Sequence, residues 1–178
     1  MASIKRVLVD KEAIQTMVKG LAKRISSDYE GKELIIVGVL KGGFVFLADL
    51  IREITIPVVV EFMSVSSYGS STKSSGVVKI IKDLDVDISD KHVLIVEDII
   101  DSGLTLKYLK ELLLSRNPLS VKLCCALDKP SRRKVNLEID YNGIEIPDEF
   151  VIGYGLDYNE KFRNLPEVCI LDISETNA

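Results

Sequence analysis

The feature that most constrains this fold is a set of short apolar runs in which polar residues do not alternate. The runs cover Leu34–Leu40, residues 92–96 and residues 120–127. Continuous runs of this kind indicate strands that are covered on both faces, as in parallel sheets. Apolar residues at helical spacing follow the first two runs, at residues 44–54 and Leu104–Leu114. Strands that alternate with helices predict an α/β domain whose ligand crevice lies at the carboxyl ends of the strands.

Weaker patterns predict the remaining elements. Residues 58–62, 150–152 and 168–173 are candidate short strands, and residues 77–81 suit a ribbon strand that returns from a loop. That loop, residues 64–76, holds seven serines and two glycines. It is either a surface loop or a lid over the site, because long loops in compact domains are often functional.

Composition narrows the possible functions. A chain of 178 residues suits one domain. Its net charge of −4 gives no broad positive field, so we expect no binding to nucleic acid, which depends on clustered Lys and Arg. We expect no membrane span, because no apolar run approaches the roughly 18 residues that one requires. The absence of a secretory signal at the N-terminus, and three cysteines without a C-x-x-C pair, predict a cytoplasmic protein with reduced thiols.

Residues 93–105 form the segment that carries the chemistry. An apolar strand delivers Glu97 and Asp98, Asp101 follows three residues later, and a serine, a glycine and a threonine lead into a helix. A helix start offers free N–H groups to a phosphate, and Gly103 allows the backbone to approach a ligand closely. Two carboxylates beside a phosphate would repel it unless a divalent cation or sugar hydroxyls intervene.

Other interpretations of this segment remain open at the level of composition. It could be a strand end followed by a capped helix, with Asp101 or Ser102 as the N-cap. It matches neither the P-loop pattern nor the dinucleotide-binding pattern. Neighbouring side chains on a strand point to opposite faces, so Glu97 and Asp98 are expected to serve different groups.

Three further signals are weak. The acids at positions 83, 85 and 87 imitate the start of a calcium-binding loop, but the glycine and glutamate that such a loop needs are missing. The single histidine, His92, precedes a strand, which disfavours a Ser-His-Asp site. We interpret residues 132–134, two arginines and a lysine, as a solvated turn.

The segment at residues 93–105 resembles the phosphoribosyl-diphosphate signature of the type I phosphoribosyltransferases. The resemblance extends over about residues 7–173. It also rests on motifs at residues 40–43, 67–69, 128–130, 150–154, 157–160 and 162–163. Lys129 and the motifs between Phe150 and Arg163 are similar to those of the 6-oxopurine branch of this family.

The resemblance implies the type I phosphoribosyltransferase fold, with a central, mainly parallel twisted sheet flanked by helices. Residues 1–178 would form a single domain. A small hood subdomain would come from about residues 1–12 and 130–178, and a flexible lid loop from about residues 64–76. The peptide bond between Leu40 and Lys41 would be strained, with the cis form as one option.

The resemblance also implies roles around the sugar. Asp101 would be the catalytic proton-transfer residue, beside N7 of the base. Glu97 and Asp98 would bind the ribose hydroxyls and help to hold Mg²⁺. The ribose 5-phosphate would be wrapped by the next four residues, Ser102, Gly103, Leu104 and Thr105.

The remaining implied roles concern the base and the leaving group. Lys129 would donate to O6 of a purine, Phe150 would stack on its ring, and Val151 would offer backbone groups to its edge. Asp157 would lie on the purine and pyrophosphate side and hold a second magnesium. Pyrophosphate would contact Lys41, Gly42 and Arg163, and the lid would contribute Ser67 and Tyr68.

The resemblance therefore implies a magnesium-dependent transfer of 5-phosphoribosyl from 5-phosphoribosyl 1-diphosphate to N9 of hypoxanthine, and of guanine. It also implies a homodimer or homotetramer. A generic nucleotide-binding α/β domain would leave the paired acids unexplained. Two further alternatives stay open from the sequence. One is a sibling enzyme that uses adenine, uracil or orotate, which Lys129 and Phe150 disfavour. The other is a non-catalytic regulator that senses the donor and binds nucleic acid, which the acidic composition disfavours.

Overall fold

The computed structural model describes residues 3–67 and 78–172 of the chain. Strands and helices alternate along most of this length. In chain order the elements are β1 (Ser3–Val9), α1 (Lys11–Asp28), β2 (Leu34–Leu40), α2 (Phe44–Glu53), β3 (Val59–Ser67), β4 (Val78–Lys82), β5 (His92–Ile100), α3 (Leu104–Leu114), β6 (Ser120–Asp128), a 3₁₀ turn (Pro130–Arg132), β7 (Tyr141–Glu145), β8 (Val151–Ile152) and β9 (Val168–Asp172).

Six strands form the central sheet, in the order β4-β3-β2-β5-β6-β7. Every neighbouring pair is parallel except β3 and β4, which are antiparallel. Side chains alternate between two apolar layers. In β2, Ile36 packs with the helices α1 and α2, whereas Ile35 and Val37 pack with α3. Because both faces of the sheet are covered, its inner strands can be apolar without alternation, as their sequences predicted.

A second, three-stranded antiparallel sheet has the order β1-β9-β8. It brings the first strand of the chain beside the last, with Ser3 opposite Asp172. In this sheet the buried side chains of Ile152, Cys169 and Leu171 form a small apolar cluster.

The predicted strand and helix pattern is confirmed, with small shifts in the ends of the elements. The α/β class with a central, mainly parallel sheet flanked by helices is also confirmed. Residues 64–67 were predicted to be loop but extend β3, because they pair with β4. The rest of the predicted lid, including Tyr68, lies outside the described residues. No helix within residues 3–67 and 78–172 combines the length and apolarity that crossing a bilayer requires.

Three elements have no counterpart in the sequence predictions: β1, α1 and β7. Helix α1 is capped by Asp10, whose carboxylate accepts a hydrogen bond from the Ala13 amide at 2.9 Å. Its apolar stripe is buried against the central sheet through Ile14, Val18, Leu21 and Ile25. The helix therefore has both a start signal and a helical period, and both were readable in the sequence.

Candidate active site

The candidate active site lies at the carboxyl ends of β2, β5 and β6. Two adjoining cavities open there. The inner cavity, about 270 Å³, is formed mainly by the end of β5, the turn that follows it and the start of α3. The outer cavity, about 680 Å³, lies between this turn, the loop after β2 and the segment that carries β8. Asp98 and Asp101 line both cavities, so these acids connect them.

The turn between β5 and α3 is shaped by Gly103. This residue has a φ of 79°, a conformation that glycine adopts at little cost. It occupies the N-cap position of α3 and has no side chain to cap the helix. The prediction that Asp101 or Ser102 is the N-cap residue is therefore wrong, although the Ser102 hydroxyl accepts from the Leu104 amide at 3.4 Å. The start of α3 borders the inner cavity through Thr105, and a helix N-terminus of this kind favours an anion.

Glu97 and Asp98 form a close acidic pair inside β5, which continues for two residues beyond them to Ile100. Asp98 is buried, and its carboxylate accepts from the Ile99 amide at 2.7 Å. Glu97 accepts from the Asp98 amide at 3.2 Å. Both residues line the inner cavity, and only Asp98 also lines the outer one. That the two acids serve different groups stays a prediction.

Burial raises the pKa of both carboxyls. The pKa of Glu97 lies well above its usual value, because burial and the neighbouring charge of Asp98 both oppose ionisation. The pKa of Asp98 is raised by burial and partly restored by the hydrogen bonds that it accepts. A bound cation would favour the ionised form of this pair.

The carboxylates that line the two cavities are candidate ligands for magnesium. Within residues 3–67 and 78–172, no three His, Cys, Asp or Glu side chains are grouped as metal ligands. Magnesium usually takes only one or two carboxylates and completes its shell with water and substrate phosphate oxygens. Asp98 and Asp157 both line the outer cavity, and Glu97 adjoins Asp98. These carboxylates fit a magnesium ion that arrives with an anionic ligand.

The loop after β2 is packed tightly against the acidic pair. The peptide bond between Leu40 and Lys41 is cis, as the resemblance implied. A Cβ on Gly42 would overlap the carboxylate of Asp98, and a Cβ on Gly155 would overlap the carbonyl oxygen of Gly42. Only glycine therefore fits at these two contacts, and the loop is held between β5 and the segment after β8.

The base side of the outer cavity is formed by Lys129, Phe150 and Val151. Lys129 is 7% exposed, and its ammonium donates to the backbone oxygen of Glu149 at 2.7 Å. The Phe150 ring is 41% exposed and makes an edge-to-face contact with Tyr158 at 5.7 Å. Val151 is buried in β8. A buried cation beside an exposed ring suits a flat, polar heterocycle.

Arg132 is a site residue that the sequence analysis missed. Its Nε lies 2.6 Å from Oδ1 of Asp101, and its Nη1 lies 3.3 Å from Oδ1 of Asp148. The next residue, Arg133, pairs with the buried carboxylate of Asp128 and donates to the Asp101 backbone oxygen at 3.2 Å. Residues 132 and 133 are therefore not part of a merely solvated turn, and that interpretation is wrong.

The opposite wall carries a second cluster of charges. Arg163 lies 2.9 Å from Asp157 and donates to the Gly155 backbone oxygen at 2.8 Å. Glu160 lies 3.5 Å from Arg163 and 3.1 Å from the ammonium of Lys41. Lys41 and Arg163, distant in sequence, thus meet at one carboxylate on the rim of the outer cavity.

Comparisons with known proteins agree with this arrangement. The family model described as "Phosphoribosyl transferase domain" matches residues 7–159. The chain belongs to the phosphoribosyltransferase family. It is 52% identical over 168 residues to the hypoxanthine-guanine phosphoribosyltransferase of Aquifex aeolicus, covering 94% of each chain. The corresponding Bacillus subtilis protein is also 52% identical, with 94% of this chain and 93% of that one covered.

Solved structures of phosphoribosyltransferases share the fold. A hypoxanthine phosphoribosyltransferase from Staphylococcus aureus superimposes with a TM-score of 0.92 at 50% sequence identity. The superposition covers 95% of this chain and 92% of that one.

Most residues that the sequence analysis selected meet in the two cavities of this phosphoribosyltransferase. The inner cavity is lined by Glu97, Asp98, Asp101, Ser102, Gly103 and Thr105. The outer cavity is lined by Lys41, Gly42, Asp98, Asp101, Lys129, Phe150, Val151, Asp157 and Arg163. Leu104 begins α3 and is not among the lining residues of either cavity. Ser67 ends β3, and its side chain is not described.

Proposed function

We propose that this phosphoribosyltransferase moves the 5-phosphoribosyl group of 5-phosphoribosyl 1-diphosphate to N9 of hypoxanthine, and also of guanine. The observation that carries the proposal is that the two cavities share Asp98 and Asp101 in their walls. One end offers a helix N-terminus for a phosphate, and the other offers Lys129 and Phe150 for a base. The names of the relatives, which are about half identical in sequence, support the same substrates.

The sugar phosphate would occupy the inner cavity. Backbone N–H groups at the start of α3, with the hydroxyls of Ser102 and Thr105, would bind the 5-phosphate oxygens. The carboxylates of Glu97 and Asp98 would accept hydrogen bonds from the ribose hydroxyls. This arrangement would hold the anomeric carbon at the junction between the two cavities.

Magnesium would be held by Asp98 with Glu97, and a second ion by Asp157, together with oxygens of the donor. When bound, it would supply positive charge that neutralises the pyrophosphate. The chain itself would add the ammonium of Lys41, the Gly42 amide and the guanidinium of Arg163.

The reaction would exchange one bond at the anomeric carbon for another. The bond to the pyrophosphate oxygen breaks and its electron pair leaves with pyrophosphate, while N9 of the base forms the new bond. The base then has a surplus proton, and Asp101, near N7, would take or share it. Because the protein mainly positions the partners and stabilises charge, its preformed contacts matter more than covalent chemistry.

Base selection would depend on Lys129. Its ammonium would exchange the Glu149 backbone oxygen for O6 of a 6-oxopurine. Adenine would face this donor with its own amino group, which leaves a buried donor without an acceptor and costs orders of magnitude in selectivity.

The chain would act as one domain, residues 1–178, with the sheet β1-β9-β8 contributing to a hood over the base and the segment of Ser67 and Tyr68 acting as a lid. We also propose a cytoplasmic homodimer or homotetramer, by analogy with the family.

A turnover assay tests the proposed function. Pyrophosphate release would be measured with 5-phosphoribosyl 1-diphosphate, magnesium and one base at a time. We expect turnover with hypoxanthine and guanine and at least about 100-fold lower kcat/KM with adenine. Equal rates with adenine, or turnover only with a pyrimidine, would favour a sibling enzyme. Donor binding without turnover of any base would favour a regulator.

A further inference from the structure

The segment between Tyr158 and Lys161 is a two-residue hairpin turn with an unfavourable residue at its tip. Tyr158 and Lys161 exchange backbone hydrogen bonds, both 3.1 Å long. The two central residues, Asn159 and Glu160, have φ values of 51° and 60°. Turns with two such residues favour Asn-Gly, because glycine reaches positive φ without steric cost. Asn159 suits its place, whereas Glu160 occupies the place that glycine would fill best.

The Glu160 side chain gives a reason for this strained position. Its Oε2 lies 3.1 Å from Nζ of Lys41 and 3.5 Å from Nη2 of Arg163. The backbone of the turn is also held in place, because Asp157 Oδ2 accepts a hydrogen bond from the Glu160 amide at 2.9 Å. These two cations, first Lys41 and then Arg163, lower the pKa of Glu160, so the carboxylate is ionised at neutral pH. A single anionic oxygen thus bridges two cations from distant parts of the chain.

We propose that the Glu160 carboxylate is an internal stand-in for pyrophosphate. It holds Lys41 and Arg163 together in the unliganded site and is displaced when pyrophosphate takes its place. This inference rests on the proposed function, in which the same two cations receive the leaving group. Because Glu160 competes with pyrophosphate for its partners, it weakens the hold of the enzyme on this product. The strained turn would then favour product release, a step that often limits turnover.

Two variants separate the charge from the backbone conformation. Glu160→Gln removes the charge and keeps the length of the side chain. Glu160→Gly removes the whole side chain and relieves the positive φ, so the turn is expected to form at least as well as in the parent protein. A matched control is Glu33→Gln, which breaks another Lys–Glu ion pair, with Lys91, at the amino ends of β2 and β5. The control changes the net charge by the same amount, away from the site.

The decisive measurement is calorimetric binding of inorganic pyrophosphate in the presence of magnesium. We expect the Kd for pyrophosphate to fall about threefold to fivefold in both Glu160 variants, the range that an exposed ion pair can supply. Glu33→Gln should match the parent protein, and the Kd for inosine 5′-monophosphate should stay within about twofold. The increase in affinity for pyrophosphate should be smaller in high salt, because salt screens the exposed ion pair of Glu160 with Lys41.

An unchanged or increased Kd for pyrophosphate in the Glu160 variants would overturn the inference, since Glu160 would then be neutral or a helper in binding. The failure of this inference can be distinguished from the failure of the proposed function. If the parent protein turns over no purine, that proposal fails, while tighter pyrophosphate binding by the variants still supports the stand-in role. If turnover is normal and the Kd does not move, only the stand-in role fails.

Discussion

Asp101 shows how a single residue can be tied into a charge network before any substrate is present. Its carboxylate lies 2.6 Å from Nε of Arg132, which also reaches Asp148. A purine that approaches Asp101 must therefore meet an acid whose side chain is already held by a neighbouring cation. The partner is near in space and 31 positions away along the chain, which is why the motif alone did not reveal it.

Replacing Asp101 tests whether it acts in the chemical step or in binding of the donor. We expect Asp101→Asn to lower kcat by about 10²–10⁴-fold, the usual contribution of a general acid or base, with little change in donor affinity. Steady-state kinetics and direct binding of 5-phosphoribosyl 1-diphosphate would measure the two effects. Equal losses in both would remove the proton-transfer role from Asp101.

Lys129 allows a test of base selection. Lys129→Ala removes the ammonium that would donate to O6 of hypoxanthine. It also removes the donor that would face the amino group of adenine. The ratio of kcat/KM for hypoxanthine to kcat/KM for adenine should therefore fall. We expect a reduction of about tenfold or more, the size of one charge-assisted hydrogen bond. The ratio is obtained by assaying both bases with each protein. An unaltered ratio would show that another group selects the base.

The acidic pair makes stability depend on pH. Burial raises the folded-state pKa of Glu97 above its unfolded value of about 4.3, so the folded state binds more protons. Its contribution to stability is fully present below that pH and is lost as pH rises towards the folded pKa. We expect Glu97→Gln to raise Tm at pH 8 by about 2–4 °C, the shift for 1 kcal/mol in a chain of this size.

That gain should shrink at pH 4, where the parent carboxyl is already protonated. Thermal melts of both proteins across this pH range, without magnesium, would measure the difference. A gain of the same size at both pH values would show that side-chain packing, and not charge, is responsible.

At the scale of elements, the loop after β2 and the segment after β8 depend on one contact between glycines. Gly155→Ala would force a Cβ, at a φ of 97°, onto the carbonyl oxygen of Gly42. The loop that carries Lys41 would have to move. We expect KM for 5-phosphoribosyl 1-diphosphate to rise by about tenfold or more, because displacements near 1 Å already cost about 10²-fold at a reacting centre.

A matched control is Gly20→Ala in α1, where an added methyl meets open space. Here the helix should gain about 0.5–1 kcal/mol of stability, with unchanged kinetics. Steady-state kinetics and urea unfolding of both variants would measure these effects. A Gly155→Ala enzyme with normal donor KM would show that the two elements are not mechanically linked.

Some helices and strands of this fold could be predicted from the sequence, and others could not. The strands β2, β5 and β6 were predictable because burial on both faces removes polar residues from them. Strand β7 was missed since it is a sheet edge of five residues, of which Asn142 and Gly143 carry no strand signal. Helix α1 has an N-cap residue and apolar residues at helical spacing, so it was predictable from the sequence. The contacts of Arg132 and Glu160 could not be predicted, because they join residues distant in sequence and depend on the folded turn.

At the scale of the whole molecule, an acidic protein binds highly anionic substrates at a place where its cations converge. With a net charge of −4 the chain offers no general attraction to phosphate. Its site combines Lys41, Lys129 and Arg163 with buried acids. An added cation would offset the acids of this site, which is the role proposed for magnesium.

Chelation tests that dependence. We expect EDTA to lower turnover by more than about 100-fold, because the pyrophosphate charge then meets unneutralised carboxylates. Excess magnesium should restore it. Far-ultraviolet circular dichroism should not change, since the described part of the fold is built without a cluster of protein metal ligands. Full turnover in EDTA would contradict the requirement, and loss of secondary structure would indicate a structural ion.

The pairing of the first and last strands, with Ser3 opposite Asp172, has a practical consequence for protein engineering. The two ends of the described chain emerge side by side, so a short peptide could join them and new termini could be opened elsewhere. A circular permutant of this kind should keep its hydrogen-bonded sheets.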